Sequence, residues 1–271
     1  MRLMPFMTAN VHYSQSIGYS HYKGLWVTAN HRMSRGLQLA ASYTLSKSTD
    51  SNSYDGTGAN NAGSLQNSYD IAGSEGPSDF DTRHRLSLNG TYELPFHGNR
   101  LKEGWQVVGV VQVQSGSPFN VTTNINTFTG VQSLRPDLIG DPAIVGTANQ
   151  WFANSVCDPR IAGSCTSSSV FALPVSASGV FHFGNLPRNA ILSPGFSDTD
   201  LSVIKNLKLA GQSRVQLRVE VFNVFNQANL GLPGRSAIPG STAFGLITAT
   251  RFPTGDSGSA RQVQFAAKFL F

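Results

Sequence analysis

Polar and apolar residues alternate along the last stretch of the chain, Ala260 to Phe271. Val263, Phe265, Ala267, Phe269 and Phe271 fall on one parity, and Gln262, Gln264 and Lys268 on the other. Period-two alternation marks a strand with one apolar and one polar face and argues against a helix. Leu270 alone breaks it. A strand with three phenylalanines on one side needs an opposing sheet in a soluble protein, but suits a wall with lipid outside and water inside.

The same pattern recurs upstream. Residues 1–19 read as irregular, and a first strand from about Ser20 to His31 places Leu25, Val27 and Ala29 on one face, with Trp26 on the wrong parity. After a tight turn at Met33-Ser34-Arg35-Gly36, Leu37, Leu39, Ala41, Tyr43 and Leu45 oppose Gln38, Ser42, Thr44 and Ser46, which predicts a hairpin. A third strand sets Leu86, Leu88, Gly90, Tyr92 and Leu94 against Arg85, Ser87, Asn89, Thr91 and Glu93, and a fourth sets Trp105, Val107, Gly109, Val111 and Val113 against Gln106, Gln112 and Gln114. In a fifth, Thr199, Leu201, Val203, Leu207 and Leu209 share a parity with Lys205, a misfit that reads as a bulge or as a side chain snorkelling to a headgroup. The sixth carries Val215, Leu217, Val219, Val221 and Phe225 opposite Arg214, Gln216, Arg218 and Glu220.

Connections are short near 33–36, 95–104 and 210–213, and long near 47–82, 115–198 and 226–259. The longest has room for short strands of its own. Strict alternation of short and long is the habit of up-and-down outer-membrane barrels, whose turns are short on the periplasmic side and whose loops are long outside. The expected fold is therefore all-β: an antiparallel up-and-down meander of about seven strands, a partial transmembrane β-barrel with long outer loops, in the cell outer membrane. On such a wall Tyr43, Tyr92 and Trp105 are candidate interfacial aromatics, with a cross-strand aromatic pair capping a soluble core as the alternative for Tyr92 and Trp105. Arg85, Gln112, Arg218, Glu220 and Gln264 are candidates to face the lumen. Arg218 and Glu220 would line a transport path or, more plainly, hold neighbouring strands or a plug in place.

Composition narrows the classes. Charged residues make up 13% of the chain, about half the roughly 25% of a typical soluble domain. No apolar run approaches the ~18–20 residues of a spanning helix. The net charge of +5 comes from scattered Lys and Arg, without the basic runs or aromatic-basic motifs of nucleic-acid binders, so no nucleic-acid partner is expected. Cys157 and Cys165 have no metal-ligand spacing. A small loop disulfide is the expected use, worth roughly 2–3 kcal/mol and requiring an oxidising compartment; two free thiols are the alternative.

Catalytic and metal motifs do not assemble. Gly255-Asp256-Ser257-Gly258 resembles a protease nucleophile turn without a histidine in matching context. Asp50, Asn52 and Asp55 suggest a calcium loop, but Tyr54 takes position five and Asp55 the position that requires glycine. His12, His21, His31, His84, His97 and His182 show no metal spacing, and Gly56-Thr57-Gly58 lacks the setting of a dinucleotide fingerprint. The chain is not expected to be an enzyme or to carry a cofactor.

Several stretches resemble the carboxy-terminal barrel of TonB-dependent outer-membrane receptors, especially the Oar-like group whose chains begin with a carboxypeptidase-regulatory-like domain. They are Gly36-Leu37-Gln38-Leu39 through Ser42-Tyr43-Thr44-Leu45-Ser46-Lys47-Ser48, Asp81-x-Arg83-His84-Arg85, Ser115-Gly116-Ser117-Pro118-Phe119, Gly184-Asn185-Leu186, and Arg218-x-Glu220-x-Phe222-Asn223-x-Phe225-Asn226, in family order. The ending, with Phe265, Phe269 and a terminal Phe271, resembles the signal read by the barrel-assembly machinery. The resemblance implies that Phe271 lies at the periplasmic rim, that the complete barrel has roughly 22 strands around an amino-terminal plug, and that the plug takes energy from TonB. It implies uptake or export of an unidentified substrate. Residues 1–271 then stand for the last third of a receptor, without plug or signal peptide, since Met1 to Phe6 opens no apolar core of signal length. Roughly seven strands leave two edges, and each unsatisfied backbone group in lipid costs several kcal/mol. Outer-membrane lipid, the assembly machinery, a missing amino-terminal barrel and plug, and TonB through that plug are the implied partners. The competing classes are an outer-membrane barrel enzyme and a secreted or surface β-protein with a structural or adhesive role.

Overall fold

Each alternating stretch becomes a strand in the computed structural model, which describes residues 16–53, 65–67, 69–125, 134–209, 211, 213–251 and 260–271. The long strands are β1 (Ser20–Ser34), β2 (Leu37–Asp50), β3 (His84–Glu93), β4 (Trp105–Gln114), β5 (Phe196–Lys208), β6 (Arg214–Phe222) and β7 (Gln262–Leu270). Their order in the sheet is their order in the chain, and each pairs antiparallel with the next. Gly76–Pro77 extends the far end of β2. The shortest of the long strands have 9 residues, matching the ~9–11 residues of a tilted transmembrane strand.

Register carries the alternation from strand to strand. Leu37 pairs with Tyr92, Tyr92 with Val107, Val107 with Val203, Val203 with Val219 and Val219 with Phe265, so one apolar row crosses six strands. A one-residue slip anywhere would turn a strand's apolar set to the other face. Turn geometry fixes this register. Arg35 and Gly36 both have positive φ, 50° and 80°, the two-residue primed turn that matches the twist of a hairpin. A side chain on Gly36 would also come within 2.7 Å of the Glu93 carbonyl oxygen, and one on Gly104 within 2.5 Å of that of Asn206. Two of the short turns thus press against the neighbouring hairpin.

Several details depart from the sequence reading, among them Leu94, which lies just beyond β3. The register through Lys205, paired with Trp105 and Leu217, is unbroken, so Lys205 marks no bulge. Strand β6 ends at Phe222, not at Phe225, because Asn223 takes a positive φ of 49° and turns the chain out of the sheet. Leu209 likewise lies beyond β5.

The packed core is not in the sheet. Phe119, Val121, Phe152, Phe171, Leu186, Ile191, Ala237 and Phe244 form a buried cluster, and all belong to the β4–β5 and β6–β7 connections. Phe152 is its centre, with the rings of Phe119, Phe171 and Phe244 at 6.0, 6.1 and 5.1 Å. Short strands knit the connections together: Pro118–Phe119 with Ile191–Leu192, and Phe171–Ala172 between Asp137–Leu138 and Val156–Cys157. Backbone bonds from Ala237 to Thr122 and from Trp151 to Gly245 join the two connections into one cap.

Candidate functional site

The polar face of the sheet is the first candidate surface. Arg218 and Glu220 project on one side of β6 and form an ion pair at 3.2 Å. Arg218 also donates to Gln216 Oε1, and Gln216 donates to Asn206 Oδ1 at 2.9 Å. Gln264 stands opposite Glu220, and Gln112 stands between Ser87 and Asp198. Arg85 pairs with Gln114 at the cap end, where Arg251 of the β6–β7 connection stacks 5.5 Å from the Phe196 ring. Burial and the neighbouring Arg85 charge lower the Arg251 pKa. The five candidate lumen residues thus share one face, and an ion pair joins Arg218 and Glu220. Trp26 is also on this face and donates its indole N–H to Ser42 Oγ at 2.7 Å.

The other face is apolar and bare. Leu25, Val27, Leu39, Val113, Leu201, Leu217, Val219, Val263, Phe265 and Phe269 are all exposed, Phe265 at 76%. Soluble monomers rarely leave more than a few hundred Å² of contiguous apolar surface uncovered. Tyr92 and Trp105 lie at the short-turn end of this face, as do Phe269 and Phe271, whose rings stack at 6.0 Å. Tyr43 lies at the opposite end, with its hydroxyl 2.8 Å from His84 Nδ1. Six residues of β2 separate the Leu37–Tyr92 pair from Tyr43, about 20 Å at a strand's rise of ~3.4 Å per residue. Lys205 is on the apolar face but folds down onto the β3–β4 turn, donating to the carbonyls of Leu101 and Glu103 under the Trp105 ring. Its stem covers apolar surface while its charge reaches the rim.

Sequence reasoning missed a buried ionic knot beneath the cap. Arg188, 3% exposed, binds the Asp50 carboxylate, which is itself 3% exposed, and lies 3.8 Å from Asp79. It also donates to the Ser74 carbonyl at 2.8 Å. Asn189 bonds Pro77 O and Asp79 Oδ1, and Gln66 links Gly184 O to the Arg135 backbone N–H. The β2–β3 connection is thereby fastened to the β4–β5 connection. Burial raises the pKa of Asp79 against the opposing pull of Asn189 and Arg188, and burial lowers that of Arg135, with Arg188 adding to the effect. The only signal available in the sequence was a few charges set inside connections of a charge-poor chain.

Asp50, weighed above for calcium, accepts from Arg188 and Ser53 instead. Asp55, Gly56-Thr57-Gly58, Gly255-Asp256-Ser257-Gly258, His12 and Met1 to Phe6 lie outside the described residues. No group of three metal-binding side chains occurs among the described residues. Cys157 and Cys165 are joined in a disulfide within the cap. Asn223 and Asn226 of the Arg218–Asn226 stretch act on the backbone: Asn223 receives Gln227 N–H and donates back to its carbonyl, while Asn226 receives Arg261 N–H at the entry to β7.

An antiparallel meander with one bare apolar face and one polar face is a membrane wall, and a family profile agrees: the outer membrane beta barrel domain matches residues 2–264. The chain belongs to that family. It is an outer-membrane barrel protein, and its place is the outer membrane. No curated protein and no solved structure matches it.

Proposed function

We propose that this chain is part of the barrel wall of a TonB-dependent receptor that moves an unidentified solute across the outer membrane, and that it catalyses no reaction itself. The observation that carries the wall reading is the uncovered apolar face running across all the long strands, opposite a polar face with an ion pair at its middle. By the usual partition of such walls, the apolar face meets lipid and the polar face meets the lumen. The short turns and Phe271 then lie on the periplasmic side and the cap outside. Among the described residues β1 pairs only with β2, and β7 only with β6. Edge groups cannot stay unsatisfied in hydrocarbon, so the lumen is completed by strands beyond these seven, from an amino-terminal barrel portion that also brings the plug and its TonB contact. Delivery to the membrane falls to the barrel-assembly machinery through Phe265, Phe269 and Phe271.

The TonB assignment rests on the ordered motifs, among them Arg218 to Asn226, whose polar side chains pair on the lumen face and whose asparagines shape the strand exit. Its test is uptake of a solute panel by cells with and without this protein, each with and without TonB. An accumulation difference that requires both is the expected result. A difference that persists unchanged without TonB overturns the TonB assignment, and no difference in either background overturns transport and leaves the enzyme or adhesive classes.

A further inference from the structure

The β3–β4 turn is pinned by side chains of the strands beside it. Lys205 reaches across from β5 to bind the carbonyls of Leu101 and Glu103, and the Trp105 indole N–H binds Leu101 O at 3.0 Å. Pinned in this way, the turn forms an open groove of about 490 Å³ lined by Pro95, Phe96, His97, Leu101, Lys102 and Trp105. Phe96 and Leu101 are 53% and 73% exposed, so the floor is apolar and uncovered. The rim is cationic. Arg100 and Lys102 are exposed, and the one carboxylate in the turn, Glu103, accepts the Gly98 N–H at 3.0 Å while keeping its charge. Lys205 keeps its charge while bound to the carbonyls, so Arg100, Lys102 and Lys205 outnumber Glu103 and leave the turn net positive.

Directly above the groove runs the apolar face, through Tyr92 and Val107. We propose that the groove is a binding site for an anionic glycerophospholipid of the periplasmic leaflet, a reading that rests on the membrane orientation above. The phosphodiester lies against Lys102 and Arg100, the glycerol against Trp105, and an acyl chain runs up the face beside Val107. Charge complementarity selects this occupant: a zwitterionic headgroup would bring its own cation to the same rim, whereas basic side chains at a membrane surface favour anionic lipid. The tethered Lys205 and Trp105 hold the floor in shape before lipid arrives, which lowers the ordering cost of binding.

The test uses protein purified from outer membranes and reconstituted in vesicles with brominated phosphatidylglycerol or brominated phosphatidylcholine at equal mole fraction. Trp105 quenching is read as the difference between wild type and W105F, which removes the background of Trp26 and Trp151. Expected is an enrichment of the anionic lipid on the order of fivefold, lost in R100Q/K102Q while quenching by phosphatidylcholine persists. Equal quenching by both lipids in wild type, or enrichment retained in R100Q/K102Q, overturns the site but leaves Trp105 as a membrane-facing residue. Quenching by neither lipid overturns the membrane orientation, and the site with it.

Discussion

Arg188 shows what one buried charge can hold together. Its guanidinium serves Asp50, Ser74 and the neighbourhood of Asp79 from a position with almost no solvent. Removing one partner of such a pair strands the other, so D50N is expected to destabilise the cap by about 3–5 kcal/mol, seen as faster proteolysis of the β2–β3 and β4–β5 connections. D79N is expected to cost less, because burial already disfavours the Asp79 charge. The pH dependence follows in sign. With its folded pKa raised above 3.8, Asp79 takes up a proton on folding in the window just above that value, so its contribution to stability declines as pH rises through the folded pKa. Hydrogen-exchange protection of the cap should show that slope in wild type and lose it in D79N. Asp158 has the opposite sign: Arg160 lowers its pKa below 3.8, and its small contribution is lost as pH falls through the folded value.

At the scale of the strand, the two faces make different demands on the same substitution. Val219 sits mid-strand in the apolar row, between Val203 and Phe265, while Gln264 stands on the polar face opposite Glu220. V219R is expected to cost about 2–4 kcal/mol if that face meets hydrocarbon. Q264R should stay within about 0.5 kcal/mol. Guanidinium unfolding from lipid vesicles measures both, and equal costs would contradict the assignment of faces. Deleting Phe271 is expected to lower the amount of protein in the outer membrane without altering the strands that do form, which quantitative blotting of membrane fractions would show.

The whole molecule divides its stabilisation between two solvents. The cap has a conventional buried core and the Cys157–Cys165 link, whereas the wall relies on its backbone ladder and on lipid. C157A/C165A should therefore weaken the cap by roughly 2–3 kcal/mol and leave wall unfolding in vesicles unchanged. On the proposed reading, closure belongs to a larger barrel. If further strands stand between these edges, as proposed, cysteines placed at Thr28 on β1 and Ala266 on β7 should not crosslink within one chain. A disulfide between them in a monomeric species would mean that these strands close a small barrel by themselves.

The strand set, the two faces and their order were legible from alternation alone, because side chains on a strand have a fixed period and a membrane wall leaves both faces in uniform surroundings. Each stretch from Leu37–Leu45 to Val263–Phe269 needed only its own residues to declare itself. Local chemistry also located a tight turn within Met33-Ser34-Arg35-Gly36 and a pair of cysteines close enough to bond. The cap was not legible. Phe119, Phe152, Phe171 and Phe244 are far apart in sequence and lie in stretches without period, and Arg188 meets Asp50 across a separation of 138 residues. Lys205 reads in its strand as a bulge or a snorkelling side chain, and only the neighbouring turn supplies the carbonyls that hold its charge. Periodicity records what a residue's own element demands of it, and contacts between connections have no period; only the folded chain decides which of them meet.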